Sequence, residues 1–104
     1  MNNLVIVNNN QVVVSSLDIA EHFGKDHKNV LRDIHDILAA QNRATKFYHE
    51  TTHQNRGKDY KAYLMNRDGF SLLAMGFTGK KALQWKLKYI EAFNEMEETL
   101  KQGY

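Results

Sequence analysis

The sequence contains no cysteine and no proline among its 104 residues. Without cysteine, disulfide bonds and thiolate metal sites are excluded. The start, MNNLVIVNNN, lacks the basic segment and the long apolar run of a signal peptide. No stretch approaches the roughly 20 consecutive apolar residues of a membrane helix. These absences predict a cytosolic protein without a membrane anchor.

Neither sign of charge dominates, but the charges are unevenly placed. The formal net charge is +2. Residues 1–90 hold 13 of the 14 lysines and arginines and 8 of the 12 acids, a net of +5. Residues 91–104 carry four glutamates and one lysine, a net of −3. A basic body with an acidic C-terminal segment indicates a protein that binds a polyanion through its body.

The first half of the chain predicts a hairpin followed by two helices. The β-branched runs LVIV (4–7) and QVVV (11–14) flank three asparagines, a residue that tolerates tight turns. Ser15 or Ser16 then caps a helix that Gly24 ends. A second helix begins after a short turn, and its apolar residues recur at three- and four-residue spacing. They form one buried stripe that consists of Val30, Leu31, Ile34, Ile37 and Leu38.

The second half predicts another hairpin and two more helices. Residues 47–54 and 59–66 are rich in Thr, Tyr and Phe and flank the loop NRGK (55–58). Residues 67–77 predict a short helix, and a long helix follows over about residues 78–101. The order of elements predicts one α+β domain for the whole chain, a winged helix-turn-helix-like domain with two β-hairpins and a long C-terminal helix.

HETTH (49–53) matches the H-E-x-x-H pattern of zinc peptidases, in which two histidines bind the metal. That site requires a helix, because only a helix brings both imidazoles to one ion. In a strand the two side chains stand roughly 13 Å apart. Thr51 and Thr52 are β-branched and Gly57 interrupts the segment, so a strand is favoured and the peptidase is an alternative. We predict no metal site, no cofactor and no enzymatic activity.

HKNVLRDI (27–34) is the candidate recognition helix. Lys28, Asn29 and Arg32 carry donors that read base edges, arginine at guanine and asparagine at adenine. A basic hairpin tip and a lysine pair in the first turn of the last helix suit DNA phosphates. The residues predicted to contact phosphate are His27, Arg56, Lys58, Lys80 and Lys81. For each of these groups, an ordinary solvated charged surface is the alternative.

The long helix, which Thr78 is predicted to cap, carries two apolar seams. The seams are Ala82, Trp85, Tyr89, Ala92 and Met96 on one side, and Leu83, Leu87, Ile90, Phe93 and Leu100 on the other. One seam is enough to pack on the domain, so the other predicts an interface with a second copy of the chain. A single wide core face is the alternative. The residues predicted to form the homodimer interface are Trp85, Leu87, Tyr89, Ile90, Phe93 and Met96.

Two long stretches, SLDIAEHFGKDHKNVLRDI and YLMNRDGFSLLAMGFTGKKALQWKLKYIEAFNEME, closely resemble the phage regulatory protein Rha family. The resemblance covers roughly residues 15–98, and its most specific part is DGF…LLAMGFTGKKA…KYIEAFN. It implies a phage or prophage origin, a location in the cytoplasm of a bacterial host cell, and control of phage or host genes through bound DNA. NRGKDYKAY lacks the proline that the family leads one to expect near Tyr63. HETTH falls in the variable part of the family.

The residues and the resemblance together predict a phage-encoded regulator that binds double-stranded DNA as a homodimer. The alternative from another class is a protein-binding module without direct DNA contact. Such a module would be an antirepressor or an inhibitor of a host factor, and its partner would be a host or phage regulatory protein.

Overall fold

The structure is a computed structural model that describes residues 4–102. Its elements in chain order are β1 (Ile6–Asn8), β2 (Gln11–Ser15), α1 (Ser16–His22), α2 (His27–Ala40), a 3-10 helix (Asn42–Phe47), β3 (Tyr48–Asn55), β4 (Lys58–Met65), α3 (Arg67–Ala74) and α4 (Lys80–Gln102). The fold is α+β, as predicted. It combines a four-stranded antiparallel sheet in the order β1-β2-β4-β3 with a long C-terminal helix. None of the helices within residues 4–102 is both long and apolar enough to cross a membrane.

Both predicted hairpins are confirmed, and each closes with a two-residue turn. Asn9 and Asn10 join β1 to β2 with φ of 53° and 63°, and Arg56 and Gly57 join β3 to β4 with φ of 54° and 78°. Two consecutive residues with positive φ form the turn whose twist matches that of the flanking strands. The second turn is tighter than the predicted four-residue loop NRGK, because the two outer residues of that loop pair across the strands.

β2 joins the two hairpins into one sheet and leads directly into α1. Its last two residues pair with Leu64 and Met65 of β4. Ser15 then caps α1, since its hydroxyl accepts a hydrogen bond from the backbone N–H of Leu17 at 3.0 Å. Gly24 follows α1 with φ of 67°, a conformation that glycine adopts without steric cost. The predicted cap and end of this helix are confirmed.

The apolar stripe predicted for α2 faces the core. Val30 and Ile34 are fully buried, and the partly buried Leu31, Ile37 and Leu38 extend the stripe. A helix that buries one stripe leaves its opposite face to solvent or to a partner. Most of the polar residues of α2 therefore lie on the side of the helix that faces away from the core.

α3 packs so closely on its neighbours that one of its positions has no room for a side chain. A Cβ atom at Gly69 would lie 2.8 Å from the carbonyl oxygen of Phe47 and 2.9 Å from Cβ of Met65. The Tyr48 hydroxyl donates to the Gly69 carbonyl at 2.7 Å. Burial raises the pKa of Tyr48 to about 12. The glycine of the DGF motif therefore positions α3 against the 3-10 helix and the sheet.

α4 supplies the centre of the aromatic core. Tyr89 and Phe93 are 0% and 1% exposed. The ring of Phe70 in α3 lies 5.1 Å from the Tyr89 ring and 5.8 Å from the Phe93 ring, measured between centroids. Fully burying side chains of this size stabilises the fold by about 1.5 to 3 kcal/mol each. The inner face of α4 is thus an integral part of the domain.

This packing changes the predicted dimer interface. Four of its six residues pack wholly or partly within the chain, namely Trp85, Tyr89, Phe93 and Met96. The reason is that α4 is flanked on both sides: Trp85 stacks on His22 of α1 with centroids 4.1 Å apart, and Phe93 contacts α3. The inner face is therefore wider than one seam. Leu87 and Ile90 are the two residues of the predicted interface that remain exposed.

α4 begins at Lys80, so Thr78 is not its N-cap as predicted. The carbonyl of Gly79 accepts the backbone N–H of Leu83 at 3.0 Å. Gly79 has φ of 103°, which glycine adopts readily because it lacks a Cβ atom. The chain therefore turns at the glycine, and the helix starts immediately after it.

HETTH lies in β3, and the strand interpretation is confirmed. His49 pairs with Leu64 and His53 pairs with Tyr60 across the hairpin. At about 3.3 Å per residue, the two histidines stand roughly 13 Å apart along the strand. The stretch therefore lacks the helical geometry that the zinc-peptidase alternative requires.

Candidate nucleic-acid interface

The outer face of α2 presents the three residues predicted to read DNA bases. Lys28 and Arg32 are exposed, and Asn29 is half-buried. Helical side chains three or four residues apart are neighbours, so Arg32 lies beside both of the others. The structure thus brings this predicted set together on one side of a single helix.

An open polar depression of about 360 Å³ lies where α2 meets the turn that precedes it. The residues that line it are Gly24, Lys25, Asp26, Asn29, Arg32 and Asp33. Carboxylates repel phosphate, but they accept hydrogen bonds from the amino group of cytosine, while arginine donates to guanine. The mixed lining therefore suits base edges better than it suits phosphates.

His27 holds the start of α2 against α1 and β4. Its Nε2 atom lies 2.9 Å from Oγ of Ser16, and that oxygen accepts the backbone N–H of Tyr63 at 3.0 Å. Ser16 is fully buried, and its hydroxyl proton is satisfied when it is donated to an unprotonated Nε2. Burial, with a smaller contribution from His53, lowers the pKa of His27. His27 is therefore a half-buried structural contact, and its lowered pKa disfavours the cationic form that the predicted phosphate contact assumes.

The β3–β4 hairpin lies beside α2 and contributes a lysine that the sequence did not single out. Nζ of Lys61 donates to Nε2 of His35 at 3.3 Å and lies 3.6 Å from a carboxylate oxygen of Glu50. The Tyr63 side chain, followed by Glu50, raises the pKa of Lys61, so the amine stays charged. No local pattern identifies this residue, because only the packing of the hairpin on α2 brings it to this face.

The tip of the same hairpin projects beyond the body of the domain. Residues 54–61 are exposed on both strands and in the turn. Arg56 occupies the turn and Lys58 follows it, so both predicted phosphate contacts lie at the tip. A projecting basic ribbon of this kind is suited to the DNA backbone or the minor groove.

Lys80 and Lys81, the remaining predicted phosphate contacts, are exposed in the first turn of α4. The segment that leads into this helix packs on the turn between α1 and α2. The Phe77 ring lies 4.7 Å from the Phe23 ring, and Nζ of Lys25 lies 5.0 Å from the centre of the Phe77 ring. The start of α4 is therefore anchored on the side of the domain where α2 begins.

Among residues 4–102, no group of three or more histidine, cysteine, aspartate or glutamate side chains is arranged to hold a metal ion. His27 and His53 belong to no such group within residues 4–102. The polar residues around α2 and the hairpin are therefore available for hydrogen bonding and charge interactions in the described part of the chain.

Comparison with known proteins gives relatives along nearly the whole chain. An uncharacterized protein of Haemophilus influenzae is 38% identical over 94% of this chain and 60% of its own length. A Bacillus subtilis protein, named "SPbeta prophage-derived putative antirepressor protein YoqD", is 34% identical over 93% of this chain and 41% of its own. An uncharacterized 22.8 kDa protein from the gp15-gp3 intergenic region of Salmonella phage P22 is 36% identical over 94% of this chain and 51% of its own. The chain thus spans about half the length of these relatives.

No solved structure matches the chain. The family model described as phage regulatory protein Rha matches residues 14–98, a range that contains α1 to α3, the β3–β4 hairpin and most of α4. The match includes both stretches that carry the resemblance in the sequence. The chain belongs to the phage regulatory protein Rha family.

Proposed function

We propose that this chain is a DNA-binding unit of a phage or prophage transcriptional regulator, with α2 as its recognition helix. The observation that carries the proposal is the outer face of α2. It presents Lys28 and Arg32 to solvent, and none of the exposed large apolar side chains among residues 4–102 lies on this helix. A helix with such a face fits the major groove, where base edges offer donors and acceptors.

The order and pairing of the surrounding elements support a winged helix-turn-helix. A strand, two helices joined by a short turn and a hairpin follow one another, and the first strand pairs with the last one, β2 with β4. In this arrangement the second helix enters the major groove, and the hairpin is the wing beside it. His27 and Lys61 fix α2 relative to the hairpin through their contacts with Ser16 and His35.

The proposed contacts divide into two kinds. Arg32 and Asn29 pair with base edges, and each good bidentate pair is worth about 1 to 3 kcal/mol of discrimination against the wrong base. Contacts from the hairpin tip go to phosphates and carry no sequence information themselves. Their contribution is a salt-dependent affinity, because each neutralised phosphate releases bound counterions.

The test is a titration of fluorescent random-sequence duplexes with the wild-type chain over a series of salt concentrations. The affinity should fall with salt along a log–log line. Lys58→Ala should weaken binding to all sequences alike and reduce the slope of that line by about one. Lys101→Ala is the control, because Lys101 lies near the far end of α4, roughly 30 Å from its first turn at 1.5 Å per residue. Absence of binding at low salt, or equal effects of the two variants, would overturn the proposal.

A second candidate function is binding to a regulatory protein without DNA contact. The name of the Bacillus subtilis relative describes that protein as an antirepressor. Exposed apolar residues on α4 favour a protein contact on that side of the domain. If the titration above shows no DNA binding at low salt, this candidate becomes the better account of the chain.

A further inference from the structure

The outer face of α4 carries an apolar patch on a helix that is otherwise well packed. Leu83, Leu87 and Ile90 are 58%, 54% and 44% exposed and lie on one side of the helix, because they are spaced by four and three residues. Met75, at the end of α3, is 74% exposed and shares a depression of about 190 Å³ with Ile90. Patches of this kind on a soluble domain mark protein contact sites.

The charges of α4 are separated by sign along the helix. The charged residues of its N-terminal part are Lys80, Lys81, Lys86 and Lys88, and those that follow up to residue 98 are Glu91, Glu95, Glu97 and Glu98. Cations near a helix N-terminus and anions toward the C-terminus oppose the helix dipole, which costs about 0.3 to 1 kcal/mol for each charge within the terminal turns. The arrangement therefore calls for an interaction outside this helix that offsets the cost.

Only some of these charged side chains interact with other parts of the chain. Glu97 is bound by Arg67 of α3, and Lys88 lies 4.4 Å from the centre of the Trp85 ring. Lys80 and Glu91 make no ion pair within residues 4–102, and Glu98 accepts a hydrogen bond only from Gln102 in that range. By helical periodicity these three charges lie on the same side as Leu87, with the lysine at one end of the patch and the glutamates at the other.

We propose that this face binds a second copy of the chain, with the two α4 helices packed antiparallel across Leu87. A helix of the same sequence running in the opposite direction places the glutamate part of one copy against the lysine part of the other. It also covers the apolar patch with an identical patch, as a two-fold interface requires. A parallel pair would instead oppose like charges. Dimerisation through α4 is independent of DNA binding through α2, so a failure of either one leaves the other untouched.

The test is sedimentation velocity of the chain without DNA, over about 1 to 100 µM protein, a range that reveals a concentration-dependent dimer. The wild type should dimerise at about 50 mM salt and dissociate more readily at about 500 mM, because salt screens exposed ion pairs. Leu87→Gln should weaken dimerisation at least about tenfold, as loss of a central apolar contact does. Ile6→Gln is the matched control, since Ile6 is 52% exposed on β1 and should leave the dimer unchanged. A wild-type chain that is monomeric at the highest concentration and low salt, or a dimer insensitive to Leu87→Gln, would overturn the proposal.

A charge exchange tests the antiparallel direction. Lys80→Glu should weaken the dimer, because it places a glutamate against the glutamate segment of the other copy in place of a lysine. Adding Glu98→Lys to Lys80→Glu should restore the dissociation constant to within about threefold of the wild type, the mark of coupled neighbouring sites. A double variant as weak as Lys80→Glu alone would contradict the antiparallel arrangement.

Discussion

α2 and α4 bury their inner faces in the same way but differ in what they show to the outside. Val30 and Ile34 of α2 and Tyr89 and Phe93 of α4 are all buried in one core cluster. On the outer side, α2 presents charged and polar side chains, whereas α4 presents leucine and isoleucine between a lysine segment and a glutamate segment. Burial of the inner face is needed for folding in both helices. The outer faces are therefore the surfaces that remain for binding a partner.

Under the two proposals, the difference corresponds to two kinds of partner, DNA at α2 and a second copy of the chain at α4. Nucleic acid binds positively charged side chains and hydrogen-bond donors. Apart from the thymine methyl group, it has few apolar groups that an exposed leucine could contact. A protein partner binds through an apolar area that is surrounded by charges complementary to its own. The two helices thus fit two different surfaces, and a variant on one outer face should leave the function of the other intact.

The largest expected effect is a difference in the free energy of unfolding between variants on the inner and the outer face of α4. Phe93→Ala should lower the free energy of unfolding by about 3 to 5 kcal/mol, because it leaves a cavity beside Phe70. Leu87→Ala should change it by less than about 0.5 kcal/mol, as for an ordinary surface substitution. Urea denaturation at a protein concentration where the chain is monomeric measures both. Similar losses in the two variants would mean that the outer face also belongs to the core.

The next effect concerns base reading by α2. Arg32→Ala should weaken binding to a preferred duplex by about 1 to 3 kcal/mol and relax the preference at one base position, because a bidentate contact is lost. Arg43→Ala is the matched control, since Arg43 is exposed in the 3-10 helix and its side chain bonds only to Gln41 within residues 4–102. Selection of binding sites from a random pool gives both affinity and preference. An unchanged site preference in Arg32→Ala would remove α2 from the recognition role.

A smaller change, of the opposite sign, should follow removal of a carboxylate from the same face. Asp36 is exposed one turn after Arg32, and its carboxylate would repel the phosphates of DNA bound at α2. Asp36→Asn should strengthen DNA binding by about 0.2 to 1 kcal/mol, the range of exposed charge interactions, and the gain should shrink at high salt. Asp68→Asn on α3 should have no such effect. A duplex titration at two salt concentrations decides between gain and no gain.

The smallest expected effect is a pH dependence of stability from His27. Its pKa is lowered in the folded chain from the ordinary value of 6.5, so the unfolded chain takes up the proton first as the pH falls. The contribution of the neutral ring is complete above about pH 6.5 and is lost as the pH falls through the folded pKa. Urea denaturation at several pH values should show this loss in the wild type and in His49→Gln, but not in His27→Gln. If His27→Gln lost as much stability as the wild type when the pH falls, the loss would come from other titrating groups.

The sequence predicted the local elements well because their signals are local. The asparagine turn, the cap at Ser15, the stop at Gly24 and the apolar stripe of α2 each depend on a few neighbouring residues. The strand at HETTH followed from the β-branched threonines, which outweighed a three-residue pattern.

The remaining features depend on packing between elements that are distant in sequence. Trp85 and Phe93 could not be assigned to the core without knowing that α1 and α3 flank α4. The role of His27 depends on the buried hydroxyl of Ser16, and the need for glycine at position 69 depends on Phe47 and Met65. Periodicity indicates how many faces a helix has, but only the tertiary arrangement decides which of them are covered.

Chemical-shift mapping by NMR shows which outer face of the chain DNA contacts, because one titration reports on both α2 and α4. The labelled chain is titrated with a short duplex at low salt, and the shifts of backbone amides are followed. We expect the largest shifts on residues 28–36 of α2 and on the turn at Arg56 and Gly57, while the amides of Leu83, Leu87 and Ile90 stay nearly unchanged. Shifts confined to the outer face of α4, or no shifts at all, would contradict this expectation.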